Sequence, residues 1–143
     1  GGFVSRLMKE VREKRGYAYS VYSTFDPHRL AGPFEIGLQT KRTQAADAIK
    51  VVDATLAAFL KEGPTPAELK AARQNLVDGL ALRIDSNAKL LGYLAVIGFY
   101  QLPLDYLDSY ADKVNAVTAE QVRAAFARYV RPAHLVTVTV AAD

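Results

Sequence analysis

No cysteine occurs among the 143 residues. That excludes disulfides, Cys-ligated zinc and thiol catalysis, and leaves the compartment open. Histidine is nearly as scarce: His28 follows Asp26-Pro27 in a turn, and His134 follows Pro132-Ala133 at a strand start. Neither has a glutamate at ligand spacing, so both read as turn or surface histidines and no residue is assigned to a metal. A Gly-x-Ser-x-Gly elbow for Ser/His/Asp catalysis and a phosphate-cradling glycine loop are both missing. Excess charge of one sign is missing too: 18 Lys and Arg stand against 15 Asp and Glu, for a net charge of +3. The basic residues alternate with acids, which argues against a nucleic-acid surface. The most apolar run, Leu90 to Leu104, is shorter than the roughly 20 residues of a membrane helix and contains Gln101 and Pro103, so a buried helix is expected there. There is no signal-peptide pattern, and none would remain on a mature chain or a fragment.

What is present is a helix-to-strand junction across one glycine. Phe3, Val4, Leu7, Met8 and Val11 recur at helical spacing, with Lys9, Glu10, Glu13 and Lys14 on the wet side. Gly16 suits the left-handed residue that ends a helix. Tyr17 to Phe25 is rich in aromatic and β-branched residues, and strict alternation would put Tyr17, Tyr19 and Val21 on one face and Ala18, Ser20 and Tyr22 on the other. Arg12, in the last helical turn, and Tyr19, early in the strand, are thereby expected to approach each other.

Beyond the junction, Asp26 to Pro33 is a connection marked by Pro and Gly, and Phe34, Ile36 and Leu38 alternate with polar or small residues as a second, antiparallel strand. Thr43 is placed to cap a helix reaching about Lys61, with Ala45, Ile49, Val52, Leu56, Phe59 and Leu60 on one face, lying on the sheet, and Gly63 just past its end. Thr65-Pro66-Ala67-Glu68 is a capping box with proline at the first helical position; its helix runs to about Ile84 with Leu69, Ala72, Leu76, Leu80 and Ile84 as a buried stripe. Asp85-Ser86-Asn87 breaks that helix and caps the next, about Ala88 to Tyr100. Another runs from about Leu104 to Ala116, and Thr118-Ala119-Glu120-Gln121 caps a last helix carrying Val122, Phe126 and Tyr129, closed by Pro132. Leu135 to Val140 reads as a third strand. The fold class is α+β, with helices on one face of a largely antiparallel sheet, one domain's worth of sequence.

Gly1-Gly2-Phe3-Val4-Ser5-Arg6-Leu7, followed by Val11-Arg12-Glu13-Lys14-Arg15-Gly16-Tyr17-Ala18-Tyr19-Ser20-Val21-Tyr22, resembles the C-terminal-half motif of the pitrilysin and insulin-degrading-enzyme family of zinc peptidases, the inverzincins. Mitochondrial processing peptidase and the core subunits of the respiratory cytochrome bc1 complex belong to that group. The resemblance implies two homologous halves enclosing a chamber, one carrying zinc and the other an Arg and a Tyr that reach the peptide. By motif position those are Arg12 and Tyr19. The zinc half uses an inverted His-x-x-Glu-His helix, which is not present here. The resemblance therefore implies a partial, non-zinc domain, inactive alone, with no cofactor of its own and zinc on a partner domain or subunit. A bacterial periplasmic or envelope location goes with it.

The chemistry suits that assignment. A phenol placed at the scissile carbonyl donates a hydrogen bond that strengthens as an oxyanion develops, and a guanidinium offers a fixed fork of donors to peptide carbonyls or a carboxylate. Residue chemistry alone favours a helix-end arginine placed by the helix dipole and a strand tyrosine packed on the sheet, and it is the motif match that reverses this preference. Arg15, Tyr17 and Tyr22 lie close enough to be confused with the pair, and the motif's spacing selects Arg12 and Tyr19. The alternative is a structural or assembly subunit in which the fold persists without catalysis. An inventory of three strands leaves a sheet edge open, so self-association is also expected.

Overall fold

Ser5 starts the first helix, its Oγ accepting from the Met8 N–H (3.3 Å) and its carbonyl from the Lys9 N–H (3.0 Å). This computed structural model describes residues 5–140, so the Gly1-Gly2-Phe3-Val4 part of the motif lies outside the described residues. Residues Met8–Glu13 form a π-helix, whose hydrogen bonds span five residues instead of four, so that the Lys14 N–H reaches back to the Lys9 carbonyl. It ends at Gly16, whose φ of +62° is a left-handed conformation open to glycine at little cost.

Strands β1 (Ala18–Phe25) and β2 (Phe34–Thr40) form a two-stranded antiparallel sheet, as their patterns predict, with Asp26 N–H donating to the Pro33 carbonyl (3.0 Å) at the base of the connection. The pairing is not regular. Ala18 opposes Thr40 but Val21 opposes Leu38, so β1 carries one extra residue in a β-bulge at Tyr19 and Ser20. The alternation expected from sequence fails there. Ala18 and Val21, an odd number of residues apart, are both buried, while Tyr19 and Ser20 are both exposed.

A 3₁₀ turn at Arg42–Gln44 leads into helix α1 (Ala45–Glu62). Thr43 sits inside that turn and does not cap the helix, because the short turn moves the helix start to Ala45 behind an N-cap, Gln44, without a side-chain capping bond. At the far end Gly63 closes α1 as expected, its N–H donating to the Phe59 carbonyl (2.8 Å). Leu7, Met8, Val11, Ala18, Val21 and Val52 pack as one core, bordered by Tyr17, Ile36, Leu38 and Val51. Burying each of the larger aliphatic chains contributes about 1.5–3 kcal/mol. Beside it, the rings of Phe25, Phe34 and Phe59 meet Phe126 with centroids 4.8–6.0 Å apart, and the Arg6 guanidinium lies 5.2 Å over Phe59. These elements belong to one compact unit, residues 1–63 with 123–143.

Residues 64–122 form the other unit. Its helices are α2 (Pro66–Asp78), α3 (Leu80–Arg83), α4 (Asn87–Tyr100) and α5 (Tyr110–Ala116), and α6 (Ala119–Tyr129) begins in it. Both capping boxes form: Thr65 Oγ1 accepts from Glu68 N–H (3.2 Å) while Glu68 accepts from Thr65 N–H (2.7 Å), and Thr118 and Gln121 do the same at 3.2 and 2.8 Å. Ser86 caps α4, accepting from the Lys89 N–H. The helix expected to run unbroken to Ile84 is interrupted at Gly79, a residue that disfavours helix interiors by about 1 kcal/mol relative to Ala. Residues 104–109 are turns rather than the start of α5.

Two expectations of burial fail. The stripe Leu69, Ala72, Leu76, Leu80 and Ile84 contains no buried residue. The apolar helix α4 buries only Ile97, leaving Leu91 and Phe99 more than half exposed. Periodicity identifies an apolar face, and burial needs an element to cover it. Leu135–Val140 also forms no strand: no neighbouring chain pairs with it among the described residues, and Val136, Val138 and Val140 are largely exposed.

Candidate functional site

The two one-residue irregularities flank Gly16, and each carries one member of the expected pair. The π-helix holds Arg12, half-buried, in its last turn, and the bulge turns Tyr19 outward. Extra residues of this kind re-aim side chains and recur beside functional sites. Here they bring the Arg12 Cζ to 5.1 Å from the centre of the Tyr19 ring, which is 82% exposed. Such a cation–π contact contributes about 0.5–1 kcal/mol at an exposed position.

The neighbours with similar chemistry are engaged elsewhere. Arg15 Nη1 donates to both the carbonyl (2.8 Å) and Oε2 (2.9 Å) of Glu10, and Lys14 Nζ donates to Glu10 Oε1 (2.6 Å). The hydrogen bonds from Lys14 and then Arg15 hold the Glu10 carboxyl below its ordinary value. The resulting support of the helix end is present above the ordinary carboxylate range and is lost as pH falls through the lowered value. Tyr17 borders the core. Tyr22 covers Gly37 across the strands so closely that a Cβ there would meet the ring at 2.5 Å.

Beside Tyr19 lies an open groove of about 360 Å³, lined by Gly16, Tyr17, Ala18, Gln39, Thr40, Lys41 and Gln44. The Thr40 Oγ1 is buried without a hydrogen-bond partner among the described residues. In the sequence, Gln39 reads only as a polar position of the second strand, and Thr40, Lys41 and Gln44 belong to no motif that would mark them.

The histidines stay apart from this site. His28 Nε2 lies 3.1 Å from Asp26 Oδ2 on the exposed hairpin connection, and His134 ends a 3₁₀ turn at Pro132–His134. Among the described residues no group of three or more His, Cys, Asp and Glu is placed to hold a metal ion, so the residues present do not fit zinc.

A family model described as peptidase M16 inactive domain matches residues 1–76. The chain belongs to the peptidase M16 family, as an inactive domain. An uncharacterized zinc protease of Mycobacterium leprae is 31% identical to this M16 domain over 124 residues, which is 87% of the chain and 28% of that protein. A Helicobacter pylori protein called a non-peptidase homolog is 27% identical over 122 residues, 85% of the chain and 28% of that protein. The crystal structure of a peptidase M16 inactive domain from Pseudomonas fluorescens superposes with a TM-score of 0.83 at 44% identity, covering 92% of this chain and 31% of that one. The M16 domain thus spans less than a third of the length of each of these three proteins.

Proposed function

We propose that this M16 domain is the non-zinc half of a zinc metallopeptidase, lending Arg12 and Tyr19 to peptide binding and transition-state stabilisation at a site whose zinc lies on another domain or subunit. One observation carries the reading: an exposed phenol in cation–π contact with a guanidinium at the edge of a groove, beside two local departures from regular backbone. The Tyr19 hydroxyl donates to the scissile carbonyl oxygen as it becomes an oxyanion. Arg12 grips a peptide carbonyl or carboxylate and sets the approach of the ring. The domain alone does not hydrolyse peptides, and its partners are a homologous zinc-bearing half, the peptide and, through exposed apolar surface, further copies of itself.

The test belongs in the complete zinc-containing protein. Tyr19→Phe lowers kcat by about 10² or more, as loss of one oxyanion donor does, with an unchanged thermal midpoint because the side chain is exposed. Arg12→Ala raises KM and lowers kcat through misalignment of the bound strand. Lys14→Ala changes charge on the same helix and serves as the control. If both variants match that control at equal zinc content, the pair is structural. The chain is then an assembly subunit, a reading favoured by the similarity to the H. pylori non-peptidase homolog.

A further inference from the structure

The groove beside Tyr19 contains chemistry that the Arg12/Tyr19 pair leaves unused. Lys41 is the one charged residue in its lining. On the flanking elements Lys14 and Arg15 pair with Glu10, and Lys50 pairs with Asp47 at 3.2 Å. Among the described residues the Lys41 ammonium has no such carboxylate, and the side chain is exposed. Gln39, Thr40 and Gln44 line the groove with it, and the Thr40 Oγ1 lies buried beneath without a hydrogen-bond partner among the described residues. Gln44 also marks the start of α1, so the positive end of that 18-residue helix adds in sign to the ammonium. A positive charge among neutral donors, with no acidic residue in the lining, is the composition of a carboxylate-accepting site.

The geometry points to this groove as a subsite for a carboxylate on the peptide, placed beside the bond that Tyr19 addresses, with Lys41 as its cation. This rests on the peptide-binding reading above. An acidic side chain and a free C-terminal carboxylate present the same chemistry to Lys41. The occupant therefore carries one negative charge within a residue or two of the Tyr19 contact, and an amide in its place leaves the ammonium unmatched.

Three fluorescein-labelled peptides of one sequence separate the sources: one with Glu and an amidated C-terminus, one with Gln and a free C-terminus, and one with Gln and an amidated C-terminus. Binding to the full-length protein is read by anisotropy at low and moderate salt. At least one charged peptide binds about five- to tenfold tighter than the neutral one, the margin shrinks as salt rises, and Lys41→Gln removes it. Lys50→Gln, an exposed lysine one turn into α1, leaves the margin intact. The exposure of Lys41 makes loss of folding an unsuitable explanation, and a thermal midpoint equal to wild type checks it. Equal binding of all three peptides overturns the subsite, as does a preference that survives Lys41→Gln. Those results leave the catalytic reading standing if Tyr19→Phe still lowers kcat. Conversely, a Tyr19→Phe variant with full activity but an intact charge preference overturns the catalytic role alone, and failure to bind any of the three overturns both.

Discussion

Single residues here are constrained by backbone conformation as much as by contacts. Gly63 has φ +72° and ψ −171°, a region nearly closed to residues with a Cβ, and its carbonyl accepts from Arg6 Nη2 (2.9 Å). A Cβ at that position would also stand 3.1 Å from the Cβ of Arg123. Gly63→Ala therefore costs about 2 kcal/mol and lowers the thermal midpoint by roughly 4–8 °C. Gly98 provides the comparison, since it lies inside α4 with nothing within 4 Å of a built Cβ. Gly98→Ala gains helix propensity and leaves the midpoint unchanged or slightly higher. Equal shifts for the two substitutions in calorimetry would show that the conformation at Gly63 is not what holds the end of α1.

At the scale of elements, the bulge in β1 determines both what is buried and where Tyr19 points. Deleting Ser20 removes the extra residue and lets Val21 oppose Leu38 in an unbroken ladder, with Ala18 and Val21 still facing the core. Deleting Ser23, which lies in the regular part of the ladder opposite Ile36, shifts Thr24 and Phe25 to the wrong faces and takes Phe25 out of the ring cluster. The Ser20 deletion should thus keep a midpoint within a few degrees of wild type while moving the Tyr19 ring off Arg12 and, on the role proposed for Tyr19, reducing turnover of the complete zinc-containing protein to the level of Tyr19→Phe. The Ser23 deletion should unfold the unit. A Ser20 deletion that retains full turnover would mean that the bulge does not position Tyr19. The same strand shows what sequence conveys and what it does not. The hairpin, both capping boxes, Gly16 and Gly63 are legible because local chemistry decides them: a hydroxyl three residues before a Glu or Gln, or a glycine where φ turns positive. The places of Arg12 and Tyr19 on either side of Gly16 implied that the two approach each other, but motif position in the family resemblance, not residue chemistry, singled them out. The bulge and the π-helix could not be seen, because one extra residue changes which backbone groups pair without changing composition. Strict alternation consequently put Ala18 and Val21 on opposite faces.

For the whole molecule, the decisive quantity is how much apolar surface remains uncovered. Helix α4 is apolar nearly all round, the pattern of a helix made for burial, yet Leu91, Leu94 and Phe99 are 52–66% exposed. Leu104 just beyond it is 95% exposed. Large apolar side chains left uncovered in this way favour association. The Leu135–Val140 segment adds a second source, since its β-branched residues are exposed and have no strand to pair with among the described residues. The 15.6 kDa chain should accordingly sediment above its monomer mass, with a distribution that moves upward as concentration rises. The two sources can be told apart by substitution. Leu91→Glu with Leu94→Glu places charge on one face of α4 and should return the chain to monomer if helix packing drives association. Val138→Glu should do so if strand pairing drives it, and charge on an unpaired strand is a recognised barrier to edge-to-edge contact. Circular dichroism before and after each change checks that helix content is retained. A chain that stays monomeric across the full concentration range would show that neither surface is adhesive, and would remove self-association from the partners this domain is expected to have.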